Sequence, residues 1–259
     1  MSNKTDLILL VDMGNTHVKW VWASGERIIE SSFSRGELSE FLNLNNGPDG
    51  GTPDRILLSS VASEASTLRI AESCTGSFGG SVQILRSHKS DAGIENGYED
   101  PAALGVDRWL AIVGAAHSYG MPIVVMDLGT ATTLDVVDQE GKHLGGLILP
   151  GPALMLESLT TATSMQVPAD PASNAGVDRN PTGVGVGPAK STSSAITEGA
   201  YAAQIGALNQ FLRNVSAKLK TEPKLVLTGG AAQGIMERLE GVAVFDPWLV
   251  FKGMLQVQE

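Results

Sequence analysis

At 259 residues, with 42% hydrophobic and 18% charged side chains, the chain has the composition of a globular protein able to bury a sizeable core. A net charge of −10 argues against a general nucleic-acid or anionic-membrane binder, although a small anionic substrate can still find a locally positive pocket. The single cysteine, Cys74, excludes an intrachain disulfide, and the apolar run before Asp12 is too short for a signal peptide or a membrane span, so a cytoplasmic protein is expected.

In chain order, Leu7 to Val11 and Val18 to Ala23 read as a β-hairpin with Gly14-Asn15-Thr16 at its tip. Glu26 to Phe33 continues as a third strand. Gly36 to Leu44 has helical spacing, and Asn45 to Pro53 is turn chemistry. Arg55 to Val61 predicts a buried strand, Ala65 to Cys74 a helix, and Val82 to Leu85 a short strand. Turn residues at Asn96-Gly97-Tyr98 lead to a helix from about Asp107 to His117. This order points to mixed α/β layers rather than an all-parallel sheet.

The second half opens on another hairpin, PIVVMDLGTATTLDVVD, followed by a strand from His143 to Leu149 and a helix from Ala153 to Thr163. Val167 to Ser191 is rich in Pro, Gly, Ala and Asn and reads as a long loop of the kind that often carries function. A long helix opens at Thr192, and its small residues Ala195, Gly199, Ala203 and Gly206 predict a close-packed face. Lys224 to Leu227 is a buried strand ending in Thr228-Gly229-Gly230. A short helix, a strand from Val242 to Phe245 and a tail, PWLVFKGMLQ, complete the chain.

The two hairpins repeat one pattern. Each apolar run ends on an aspartate, Asp12 or Asp127, followed two positions on by Gly14 or Gly129 and then by a hydroxyl residue, Thr16 or Thr130. Their spacing, close to half the chain, suggests a duplication. Two such turns facing each other would place two carboxylates and two glycine turns around a metal–nucleotide phosphate. An isolated Asp-x-Gly-Asn turn is more often only a hairpin turn, and recurrence is what strengthens the functional reading. Lys19 is either an outward strand residue or a point charge for a phosphate. Asp107 is either a first-turn capping charge or a general base with Arg108 as an anion clamp, and spacing does not decide. His17, His88, His117 and His143 have no metal-ligand spacing. No phosphate-binding Gly-x-x-x-x-Gly-Lys-Ser/Thr loop occurs.

DMGNTHVKW, NGYEDPAALGVDRW, DLGTATTLD, STSSAITEG and LTGG stand in the order found in type III pantothenate kinases, which the chain resembles over nearly its whole length. That family belongs to the acetate kinase, sugar kinase and actin superfamily and shares the name Bvg accessory factor. The resemblance implies two ribonuclease H-like (actin-like ATPase) halves, residues 1–118 and 119–259, in a homodimer. It implies ATP-dependent phosphorylation of pantothenate, the first step towards coenzyme A. Asp12, Met13, Gly14, Asn15, Thr16, His17, Val18 and Lys19 would hold the ATP phosphates, with Asp12 near Mg²⁺ through water. Thr130 would contact ATP and Asp127 would coordinate K⁺ or NH₄⁺, while Thr228-Gly229-Gly230, on its residues alone, is either a plain strand-to-helix turn or one whose glycines let a nucleotide base or ribose approach the backbone. Tyr98, Gly105, Val106, Asp107 and Arg108 would bind pantothenate, with Asp107 as the base and Thr192 closing the site. The rivals are a kinase of another small hydroxyl substrate and a non-catalytic regulatory protein. The NGY…GVDRW segment argues against the first, and the joint presence of all the charged site groups against the second.

Overall fold

Seven residues, Leu7–Met13, form β1, buried on both faces after its first residue, as the unbroken apolar run LILLV requires of a central strand. The structure is a computed structural model describing residues 6–14, 17–42, 50–79, 81–163 and 187–257. β2 (Val18–Ser24) pairs antiparallel with β1, and β3 (Arg27–Gly36), with a largely exposed and polar pattern, forms the edge beyond it. β4 (Arg55–Ser60) lies parallel to β1 on its other side, followed by β5 (Val82–Ile84). The sheet order is β3-β2-β1-β4-β5.

Alternation along β1 sends Leu9, Val11 and Met13 to one face, where they share a core with Trp20, Trp22, Ile56 and Leu58. α1 (Leu38–Leu42) adds Phe41, and α2 (Glu64–Phe78) adds Ile70, Cys74 and Phe78. Trp20 meets Phe41, and Trp22 meets Phe78, in edge-to-face contacts with centroids 5.3 and 5.8 Å apart. Burial pushes the Cys74 thiol up to about 12, which leaves it inert packing. A small hairpin, β6 (Ser90–Asp91) and β7 (Ile94–Glu95), precedes α3 (Val106–Tyr119).

The second sheet is built from β8 (Ile123–Leu128), β9 (Ala131–Val137), β10 (His143–Pro150), β11 (Lys224–Thr228) and β12 (Val244–Phe245). Its order, β10-β9-β8-β11-β12, is the first sheet's order repeated, with an antiparallel hairpin and two parallel additions. α5 (Thr192–Leu219) lays Tyr201, Leu208 and Val215 against Met126, Leu134 and Val136 of this sheet. α4 (Pro152–Ala162) packs Leu156 on Ile196 and Ala200 of α5, and α6 (Ala232–Met236) follows the Gly229 turn. The mixed sheets flanked by helices are those expected of ribonuclease H-like halves.

The chain forms two compact units, residues 1–118 with 248–259, and residues 119–247. The last twelve residues, expected with the second half, therefore belong with the first. The reason is α7 (Leu249–Gln256), whose apolar side chains are almost all buried and which runs beside β1. It interlocks with α3: a Cβ on Gly114 would strike the Leu249 carbonyl, and one on Gly253 the Leu110 carbonyl. Phe33 closes the contact, with its ring edge-to-face on Trp248 at 5.3 Å.

A second expectation needs correction. Among the described residues the small-residue stripe of α5 is not close-packed, since Ala195, Gly199, Ala203 and Gly206 are exposed and a Cβ added at Gly199 or Gly206 would meet nothing within 4 Å. Residues 43–49 and 164–186 lie outside the described residues, and with them most of the loops expected at Asn45–Pro53 and Val167–Ser191. Among the described residues no helix is long and apolar enough to cross a membrane.

Candidate active site

Strand register explains how Asp12 acquires its neighbours. Asp12 lies opposite Lys19 across the antiparallel pair and opposite Ser59 across the parallel one. Ser59 Oγ donates to Asp12 Oδ1 at 3.2 Å, and Lys19 Nζ stands 3.8 Å from Oδ2. Asp12 is only 6% exposed. Burial raises its pKa, the Lys19 charge pulls it down, and the negative charge of Asp107 raises it again. Lys19 therefore faces a carboxylate rather than acting only as an outward strand residue. Ser59 was not singled out in the sequence, where it is merely the fifth residue of RILLSSV.

The turn itself is tight. The Gly14 N–H donates to the His17 carbonyl at 3.0 Å, and in the second hairpin the Gly129 N–H donates to Ala131 in the same way. In this structure these two amides are used within their turns. Met13 and Val18 are buried, so their side chains serve the core. Asn15 and Thr16 lie outside the described residues. His17 Nδ1 accepts from Arg35 Nη2 at 3.2 Å, because a guanidinium can only donate. Desolvation, with Arg35 and Lys19 nearby, lowers the His17 pKa and keeps the ring neutral.

Helix α3 carries the second half of this constellation. Asp107 sits in the first turn of α3, one residue after its start, and its Oδ1 accepts the neighbouring Arg108 N–H at 2.7 Å, so it is a first-turn charge rather than an N-cap. That role does not exhaust the residue. Burial is the largest influence on Asp107 and raises its pKa, while the Arg108 N–H, the Arg108 charge and Lys19 lower it. Gly105 makes room for this carboxylate, since a Cβ there would stand 2.7 Å from Asp107 Oδ1. Arg108 is buried and donates from Nη1 to the Tyr98 hydroxyl at 2.9 Å, with its guanidinium 5.6 Å from the ring centroid. Asn96, fully buried, donates from Nδ2 to the His88 and Pro101 carbonyls and accepts the Tyr98 N–H at 3.0 Å. The first unit therefore brings Asp12, Lys19, Asp107, Arg108 and Tyr98 into one electrostatically linked group.

The second unit holds Asp127, Thr130 and Thr192. Asp127 occupies the place of Asp12 in its sheet, but register sets it opposite Thr133 and Thr228 where Asp12 has Lys19 and Ser59. Gly229, at φ 90°, passes so near that a Cβ would stand 2.5 Å from Asp127 Oδ1. The Thr130 carbonyl accepts the Gly151 N–H at 2.9 Å. Thr192 is the exposed first residue of α5, capped by Ser191, whose hydroxyl accepts the Ser194 N–H at 3.1 Å. Among the described residues no three His, Cys, Asp or Glu side chains cluster to hold a metal.

Two sheets of the same order, each opening on an Asp-x-Gly hairpin, give the duplicated, actin-like ATPase type of α/β fold. A structure described as that of a conserved Baf family transcriptional activator from Campylobacter jejuni aligns with a TM-score of 0.57, at 20% identity over 95% of this chain and 94% of that one. The ethanolamine utilization protein EutJ from Carboxydothermus hydrogenoformans aligns at 0.51, with 12% identity over 97% and 88%. At these identities the two speak to the fold alone. Sequence relatives go further. A type III pantothenate kinase of Albidiferax ferrireducens is 33% identical over 96% of each chain, and one of a Marinomonas species is 34% identical over 92% of this chain and 88% of its own. The family model for type III pantothenate kinase matches residues 8–214. The chain belongs to the type III pantothenate kinase family.

Proposed function

We infer that the chain transfers the γ-phosphoryl group of ATP to pantothenate, giving 4′-phosphopantothenate on the route to coenzyme A. The observation that carries this reading, beside family membership, is the grouping in the first unit of buried Asp12, with Lys19 3.8 Å away, and half-buried Asp107, whose neighbour Arg108 is bonded to Tyr98. Phosphoryl transfer asks a protein for positioning and charge neutralisation more than for covalent chemistry. Asp107 accepts the proton of the primary hydroxyl as that oxygen attacks the γ-phosphorus in line. The bond from γ-phosphorus to the β–γ bridging oxygen breaks, and ADP leaves. A raised pKa makes Asp107 a stronger base than an exposed aspartate, which suits this step. Arg108, steadied by Tyr98, anchors the pantothenate carboxylate, and Lys19 supplies a point charge to the phosphates. Val106 places this turn of helix at the substrate, and Thr192 is assigned to pantothenate by the family resemblance alone.

Asp12 fits a divalent cation such as Mg²⁺ as a hard oxygen donor. With no three-ligand cluster among the described residues, Mg²⁺ would take its other ligands from phosphates and water, and it would neutralise phosphate charge. Asp127 fits K⁺ or NH₄⁺ because a threonine, not a lysine, stands opposite it in the sheet. Such an ion would supply positive charge where the first hairpin has an ammonium group. We assign homodimerisation to the exposed small-residue face of α5, where a second helix could approach closely. The buried, unreactive Cys74 suits a cytoplasmic protein. Phosphorus NMR of a reaction mixture tests the proposal: a new phosphomonoester on the primary hydroxyl is expected, and its absence while ADP accumulates would redirect the search to another acceptor.

A further inference from the structure

The segment that carries Tyr98 has little to hold it by itself. β6 and β7 contribute two residues each, joined by Ala92 and Gly93 at φ 47° and 81°, and an isolated hairpin of that size is marginal. Its attachment comes from side chains. Trp109, fully buried and next in sequence to Arg108, donates its indole Nε1–H to Asp91 Oδ2 at 2.6 Å. His88 Nδ1 lies 3.3 Å from the same carboxylate, and Asn96 links the following residues to Tyr98. The segment is thus fastened to α3 at two successive residues, to Trp109 through Asp91 and to Arg108 through Tyr98. An indole N–H donating to a carboxylate is a charge-assisted bond, stronger than its neutral counterpart, and here it is partly buried.

We propose that Asp91 is a positioning residue for the substrate site, holding the Trp109 indole so that the Tyr98 segment stays in register with Asp107 and Arg108. This rests on the assignment of Tyr98, Asp107 and Arg108 to pantothenate. Loss of the bond leaves every atom of the reacting group in place but frees the segment to drift, and small misplacements of positioning groups are costly.

Steady-state kinetics on the full-length enzyme test it, with thermal melting of each variant alongside. Asp91→Ala is expected to raise KM for pantothenate about tenfold while KM for ATP stays within about twofold. Asp91→Asn keeps an oxygen acceptor and should restore most of the loss. Trp109→Phe removes the donor together with one ring of the buried indole, so it should raise KM for pantothenate at least as much as Asp91→Ala, and the double variant should be no worse than Trp109→Phe alone. Should Asp91→Ala melt below the assay temperature, Trp109→Phe and Asp91→Asn carry the comparison. Tyr98→Phe and Arg108→Lys separate the two claims. If they raise KM for pantothenate and Asp91→Ala does not, the positioning role is overturned while the site assignment stands. If neither pair changes it, both fall. Equal rises for ATP and pantothenate would also overturn the proposal, because they signal general loosening.

Discussion

Asp107→Asn replaces the assigned base with a side chain of nearly the same shape. The amide oxygen can still accept the Arg108 N–H now held at 2.7 Å, and the Gly105 contact gains no bulk. What disappears is proton acceptance. A positioned general base is worth about 10²–10⁴ in rate, or roughly 2.7–5.5 kcal/mol of transition-state stabilisation, so kcat should fall by that factor with KM for ATP little changed. The pH dependence gives a second signature. Burial holds the Asp107 pKa above the ordinary 3.8, so wild-type kcat/KM should decline as pH falls through that raised value, and the variant should lack this acid limb. Stability should not explain the loss. A raised folded-state pKa means that ionised Asp107 opposes folding, so its neutral replacement should melt no lower than wild type at pH 7. Coupled ADP detection under saturating substrates, with melting curves, makes the measurement. A kcat within about threefold of wild type would refute the assignment.

Three further outcomes follow from the same structure. Without nucleotide, Asp12→Asn should melt above wild type at pH 7, because the buried carboxylate favours its protonated form. Calorimetry should show the advantage shrinking as pH falls through the raised pKa towards 3.8, and a pH-independent difference would count against it. Gly114→Ala drives a methyl group into the backbone of α7, an overpacking of about 1–3 kcal/mol, or roughly 2–12 °C in melting temperature. An unchanged melting point would mean that the two helices separate easily. Gly199→Trp should convert a dimer to a monomer in sedimentation velocity, and an intact dimer would move the interface off this face of α5.

Much of both sheets was legible because their central strands, β1 and β8, are apolar runs ended by Asp-x-Gly, a pattern that local chemistry alone enforces. The β6–β7 hairpin was not legible, since its four strand residues have no periodicity and depend on Asn96 and Asp91. α7 was read only as a tail. Its apolar letters suit a helix or a strand, and its membership of the first unit depends on a glycine more than a hundred residues earlier. Spacing correctly put Ala195, Gly199, Ala203 and Gly206 on one helical face, but cannot say whether the protomer itself covers that face. The site shows the same division. Asp12 and Lys19 stood out by motif, whereas Ser59 becomes visible only when strand register sets it beside Asp12. Asp107 could be a first-turn charge or a base, and the structure shows its bond to the Arg108 N–H together with the effect of its charge on Asp12.

The central claim is pantothenate-dependent phosphoryl transfer, and ADP release from Mg-ATP with and without pantothenate tests it most directly. ADP release that appears only with pantothenate, and that is faster in K⁺ than in Na⁺, is the predicted result. Folded protein that releases ADP at the same rate in the presence and absence of pantothenate would contradict the account.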